Sequence, residues 1–184
     1  KEYIDSRIDA ANNDKGIVVL LTGNGKGKSS SAMGMICRSL AYDMKVGVVR
    51  FLKGEQVTGE DIFLKDQKEV SIFLMEAGFT WDTQNKHFDK EKALEAWAEA
   101  KKFLSDSEIG LVVLDEITYM VNYNYIDEKS IIETLSGRPK NQHVVITGRA
   151  ASKNLIEIAD TVSEVINIKH AFSEKIRAQK GIDL

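Results

Sequence analysis

The chain has 184 residues, 43% of them hydrophobic and 29% charged, which suits one globular domain with a full core. A formal net charge of −3, with only short basic pairs such as Lys101-Lys102, argues against nucleic acid as the main partner. The single cysteine, Cys37, excludes an internal disulfide framework and any multi-cysteine zinc site.

Lys1 to Ala11 are charged and amphipathic rather than a signal peptide, and a helical segment is expected over about residues 1–14. The chain starts at Lys1 rather than methionine, which leaves a removed leader open. No apolar stretch approaches the roughly 18–20 residues of a membrane span, so a cytoplasmic location without a membrane partner is expected.

Gly16 to Thr22 is an apolar, strand-like run, and Gly23-Asn24-Gly25-Lys26-Gly27-Lys28-Ser29 follows it directly. A helix-like segment runs from about Ser29 to Tyr42. Strand, glycine-rich turn, Lys-Ser and helix make the pattern of a phosphate-binding P-loop. Glycines let backbone N–H groups curl around phosphate oxygens, and the helix N-terminus adds its positive dipole end. Lys28 supplies a point charge and Ser29 a hydroxyl suited to magnesium. Three residues, rather than the usual four, separate Gly23 from the Gly27-Lys28 pair, so a nucleotide triphosphate is expected in a non-standard loop. Cys37, on the helix face shared with Met33 and Leu40, is expected buried and inert.

Val46 to Leu52, Val70 to Met75, Leu111 to Leu114, Val144 to Thr147 and Val162 to Ile168 are further apolar runs. Such runs suit strands buried on both faces of a parallel sheet. Asp89 is placed to cap a helix carrying Leu94, Trp97, Ala100 and Leu104 inward, and Asp127 one carrying Ile131, Ile132 and Leu135, with Gly137 and Pro139 at its end. Ser152 begins another, with Leu155, Ile156 and Ala159. The alternation predicts an α/β fold: an open, mostly parallel P-loop (RecA-like) sheet flanked by helices in three layers, as one domain over residues 1–184. Two stretches break the economy of short connections, residues 76–88 with Phe79 and Trp81, and the irregular tail from about residue 169.

Val112-Val113-Leu114-Asp115-Glu116 is the expected partner of the loop, a buried strand delivering a carboxylate to magnesium. Extended backbone would send Asp115 and Glu116 to opposite sides, so one coordinates and the other reaches the metal only where the chain turns. Thr147-Gly148-Arg149 ends another strand, and Arg149 can reach a phosphate or form a surface ion pair. Arg38 lies about two and a half turns beyond Ser29 and reaches a nucleotide only by curling back or crossing an interface. Lys53 and Glu60 follow the second strand. His87, His143 and His170 lack the spacing of a metal site; His143 reads as structural, and His170 as a possible pocket wall.

These motifs occur with Phe51-Leu52-Lys53-Gly54, Gly78-Phe79-Thr80-Trp81, Thr118-Tyr119-Met120 and Asp160-Thr161-Val162-Ser163-Glu164. The ending adds Lys169-His170-Ala171-Phe172, Ala178-Gln179 and Gly181-Ile182-Asp183. Together they closely resemble the P-loop type of ATP:corrinoid adenosyltransferase, along nearly the whole chain. The resemblance implies that a corrinoid cobalt(I) attacks the ribose 5′ carbon of ATP and inorganic triphosphate leaves. It implies a triphosphate held in reversed sense, with Asn24, Gly25, Lys26, Gly27, Lys28, Ser29 and Ser30 around it. Ser29, Glu116 and nearby Asp115 match its magnesium positions; Arg38, Glu60, Arg149 and His170 match the nucleotide's surroundings. Phe79 and Trp81 match the aromatic pair set against the corrin's lower face, where they displace the axial ligand and favour reduction.

The resemblance further implies a cobalamin or cobinamide-type acceptor, a flavodoxin-type reductant and a homodimer. The N-terminal segment and the tail would cover the active site. Lys28, Glu116, Phe79 and Trp81 are then the catalytic candidates. The rival readings are a P-loop ATPase or small-molecule kinase, and a non-catalytic nucleotide sensor.

Overall fold

The computed structural model describes residues 2–52, 57–75 and 86–183. Among the described residues six parallel strands form one sheet: β1 (Val18–Thr22), β2 (Lys45–Arg50), β3 (Val70–Leu74), β4 (Ile109–Asp115), β5 (His143–Thr147) and β6 (Thr161–Glu164). Their order is β3-β2-β4-β5-β1-β6, so β5 separates the strand that precedes the glycine-rich loop from the strand that ends in Asp115. Parallel pairing aligns the carboxyl ends: Leu21 stands beside Thr147, and Arg50 beside Asp115. Every strand therefore delivers its last residue to one rim, where open α/β sheets bind ligands.

The helices among the described residues are α1 (Glu2–Ala10), α2 (Lys28–Leu40), α3 (Gly59–Lys65), α4 (Lys86–Ser105), α5 (Ile117–Asn122), α6 (Glu128–Ser136) and α7 (Lys153–Ile158). Strand residues alternate between two cores, as the pleat requires. Val19, Leu21, Val48 and Val113 pack with Ala32 and Ile36 of α2 and Leu64 of α3. Val18, Leu20, Val112 and Ile146 pack on the opposite face with Trp97, Leu104, Ile131 and Leu155. The result is the three-layer α/β fold that the alternation predicts.

Cap chemistry sets several helix starts. Asp127 accepts from Lys129 N, and Ser152 from Leu155 N. Thr58 and Asp61 form a capping box at α3, with each side chain accepting from the other residue's backbone N–H. Asp89 is not a cap: α4 begins at Lys86, and Asp89 is buried in its first turn.

Burial departs from expectation where a face or an edge was misassigned. The inner face of α4 is Ala93, Ala96, Trp97, Ala100 and Leu104, a helical spacing that turns Leu94 outward. Cys37 is exposed rather than buried, because α2 turns Lys28, Ala32 and Ile36 inward at spacing four. The last strand is shorter than the apolar run and exposed at all four positions, since among the described residues it is an edge strand paired with β1 alone. Ile166 and Ile168 lie beyond it in solvent.

Candidate active site

The site begins where β1 cannot continue. Gly23 and Gly27 have φ of 94° and 123°, conformations open to glycine but strained for other residues. Gly25 donates its N–H to Val165 O at 2.7 Å, and a Cβ there would lie 2.7 Å from Ile166 O. The loop thus lies backbone to backbone against the segment that follows β6. Among the described residues no side chain caps α2, and no acidic residue sits in its first turn, so the positive helix end faces the cavity uncompensated by acid from its own first turn.

Lys28 is buried, and its Nζ donates to Gly23 O and Gly25 O at 2.9 Å each. Burial pushes its pKa down, while Glu116 opposes that shift. The ammonium is held inside the loop's curl by carbonyls that a more strongly charged acceptor can replace.

Asp115 and Glu116 face the same cavity, because the chain turns between them. Glu116 takes a left-handed φ of 61° and begins α5, with its N–H donated to Thr147 Oγ1 at 2.9 Å. A bulky residue in this region stores strain, which is found at functional sites. The two carboxylates have different surroundings. Asp115 Oδ1 accepts from Ser29 Oγ at 2.9 Å and Thr147 Oγ1 at 2.7 Å. Glu116 Oε2 is buried with no hydrogen-bond partner among the described residues. Burial, then the neighbouring Asp115, pushes the Glu116 carboxyl up to about 7.

Around these groups lies a cavity of about 590 Å³, within the range of small-molecule sites. Asn24, Gly25, Lys26, Gly27, Lys28, Ser29 and Ser30 form its floor. Asp115, Glu116 and Arg149 line the sheet side, Glu60 comes from α3, and His170 from the tail. Arg38 is exposed on α2 and does not line the cavity. Lys53, Phe79 and Trp81 lie outside the described residues.

Several groups at or behind the cavity have no role assigned to them by the sequence, although Tyr119, Thr147 and Asp183 stand within motifs quoted above. Arg50 and Tyr119 reach the cavity from β2 and α5. Asp183 closes it from the tail through an ion pair with Lys26 at 2.8 Å, which holds the Asp183 carboxyl below its ordinary range. Thr147 serves both acidic residues through one hydroxyl. Only strand pairing reveals the role of Arg50 and that of Thr147; the Thr58-x-x-Asp61 box could have been found by pattern.

A parallel α/β sheet whose rim carries a glycine-rich loop, a buried lysine, a helix N-terminus and two carboxylates defines a domain built to receive a phosphorylated ligand. Comparison supplies the family. Residues 14–184 match the family described as ATP:corrinoid adenosyltransferase BtuR/CobO/CobP, and the chain belongs to it. It is 46% identical over 184 residues to the corrinoid adenosyltransferase of Pseudomonas aeruginosa, covering 100% of this chain and 91% of that one. It is 44% identical over 183 residues to that of Escherichia coli K12 (100% and 93% covered) and 42% identical to the corrinoid adenosyltransferase CobA of Salmonella typhimurium (100% and 93%).

Proposed function

We propose that this chain transfers the 5′-deoxyadenosyl group of ATP to the cobalt(I) of a corrinoid, releasing inorganic triphosphate. The cobalt lone pair attacks C5′, the C5′–O bond breaks, and its electron pair leaves with the triphosphate. The observation that carries the reading is Lys28 Nζ, buried inside the loop on Gly23 O and Gly25 O, in a chain of this family. Its charge, the loop amides from Asn24 to Lys28 and the α2 dipole all face where negative charge accumulates on the leaving group. No side chain need move a proton, so catalysis is positioning plus electrostatics.

Magnesium fits the donor set, which is all oxygen, the preference of a hard cation. Glu116 Oε2, without a partner among the described residues, is the atom that would hold it, with Ser29, and Asp115 beside them. When bound it supplies charge neutralisation for the triphosphate. Arg149, Glu60 and His170 surround the nucleotide in this reading. Arg38 lies outside the cavity and would serve it only through a second copy, in keeping with a homodimer.

The remaining assignments rest on the family resemblance. Phe79 and Trp81 lie against the lower corrin face of a cobalamin or cobinamide-type substrate, and a flavodoxin-type protein in the cytoplasm supplies the electron. The N-terminal helix, which carries exposed Ile4 and Ile8 one turn apart, folds over the corrinoid, and the tail covers the site. An anaerobic assay with ATP, magnesium and chemically reduced cob(I)alamin tests the reading. Light-sensitive adenosylcobalamin is the expected product; ADP or orthophosphate with an unchanged corrinoid spectrum would support a kinase or hydrolase instead.

A further inference from the structure

Arg50 ends β2 directly beside Asp115. Its side chain, 13% exposed, reaches two carboxylates: Nη1 lies 2.7 Å from Asp61 Oδ1, and Nε 3.8 Å from Asp115 Oδ2. Nη1 also donates to Thr58 Oγ1 at 3.3 Å. Thr58 and Asp61 are the two halves of the box that opens α3, so one guanidinium ties that helix to the acidic strand. The tie divides the oxygens of Asp115. Oδ1 accepts from Ser29 and Thr147, while Oδ2 faces Arg50. Glu60, in the first turn of α3, meets the same cavity as Glu116.

A planar guanidinium holds two acceptors in fixed directions, which an ammonium on a flexible stem does not. We propose that Arg50 is a positioning residue of the site: it bridges Asp115 to the Thr58–Asp61 box, keeps Asp115 turned toward Ser29, and leaves Glu116 as the carboxylate open to the metal–triphosphate. The inference rests on reading the cavity as a magnesium–ATP site. Without the bridge, Asp115 Oδ2 loses its cationic neighbour and competes with Glu116, and α3 carries Glu60 away from the rim.

The test is calorimetric ATP binding to the 184-residue chain, with and without magnesium, for the wild type, Arg50→Met, Arg50→Lys and Asp61→Asn. The factor by which magnesium tightens ATP binding should fall about tenfold in both Arg50 variants, the scale expected when a group orienting a metal ligand is lost. Arg50 lines the cavity but has no bond to the loop or Lys28, so binding without metal should fall by a clearly smaller factor than binding with it. Asp61→Asn, which has no contact with Asp115, should lose at least about threefold of the same magnesium factor. Equal losses with and without metal would overturn the proposal, as would an Arg50→Lys chain indistinguishable from wild type. Should Arg50→Met fail to fold, Arg50→Lys and Asp61→Asn decide by the same criteria. A wild type that binds no ATP overturns the functional reading and the bridge with it; an ATP-binding wild type with unaltered variants overturns the bridge alone.

Discussion

Replacing Glu116 by glutamine should stabilise the ligand-free protein at alkaline pH while impairing its metal-dependent function. The Glu116 carboxyl titrates near 4.5 in the unfolded chain and at about 7 in the folded one. Between those values the folded state holds more protons, so stability falls as pH rises through the window. The full loss is about 3 kcal/mol, since each pH unit of the window contributes about 1.36 kcal/mol. Glutamine cannot ionise and removes that slope. At pH 8 the variant should gain about 1–3 kcal/mol, or roughly 3–10 °C in Tm for a domain of this size. Below about pH 4.5 the two proteins should unfold together. Differential scanning of metal-free protein between pH 4.5 and 8 reads the comparison, and magnesium–ATP should raise the wild-type Tm far more than the variant's. Parallel Tm–pH curves, or a variant less stable than wild type at pH 8, would refute the assignment of a strained, proton-seeking Glu116.

Lys28→Ala should weaken ATP binding by roughly a hundredfold or more, since it removes the charge inside the loop; equilibrium binding checks it, and circular dichroism should stay native. Gly25→Ala should lose about 1–3 kcal/mol of stability together with ATP binding, because the new Cβ meets Ile166 O at 2.7 Å and forces the segment off the loop; a denaturant melt with a binding titration measures both. Trp81→Ala should leave transfer to chemically prepared cob(I)alamin near wild type and slow the reaction that starts from cob(II)alamin, as separate anaerobic rates will show. Equal losses from both starting states would remove the role given to Trp81.

Much of this could be read from the chain because its signals are local. The apolar runs of β1, β4 and β5 need burial on both faces, and they form the centre of the sheet. The same signal misjudged Val162 to Ile168, because a run of apolar residues does not reveal whether helices cover it; β6 is an exposed edge. Cys37 failed for a related reason: periodicity gives a stripe, and only packing chooses which side of it turns inward.

The site divides the same way. The loop, Lys28, Ser29 and the Asp115-Glu116 pair were legible as a pattern of residue types. Their convergence was expected as well, with the second carboxylate arriving where the chain turns; what was not legible is how the turn is held, by Thr147 Oγ1 accepting the Glu116 N–H from a strand distant in sequence. Arg50 carried no signal at all, because its meaning lies in the register that sets it beside Asp115.

The central claim is that the bond broken is C5′–O and that the whole triphosphate leaves. ATP carrying ¹⁸O at the bridge between C5′ and the α-phosphorus tests it directly, in an anaerobic turnover with cob(I)alamin and mass analysis of the phosphate product. The account predicts inorganic triphosphate that retains the label, with adenosylcobalamin formed in equal amount. Label retained in ADP or AMP, with the corrinoid unchanged, would contradict it.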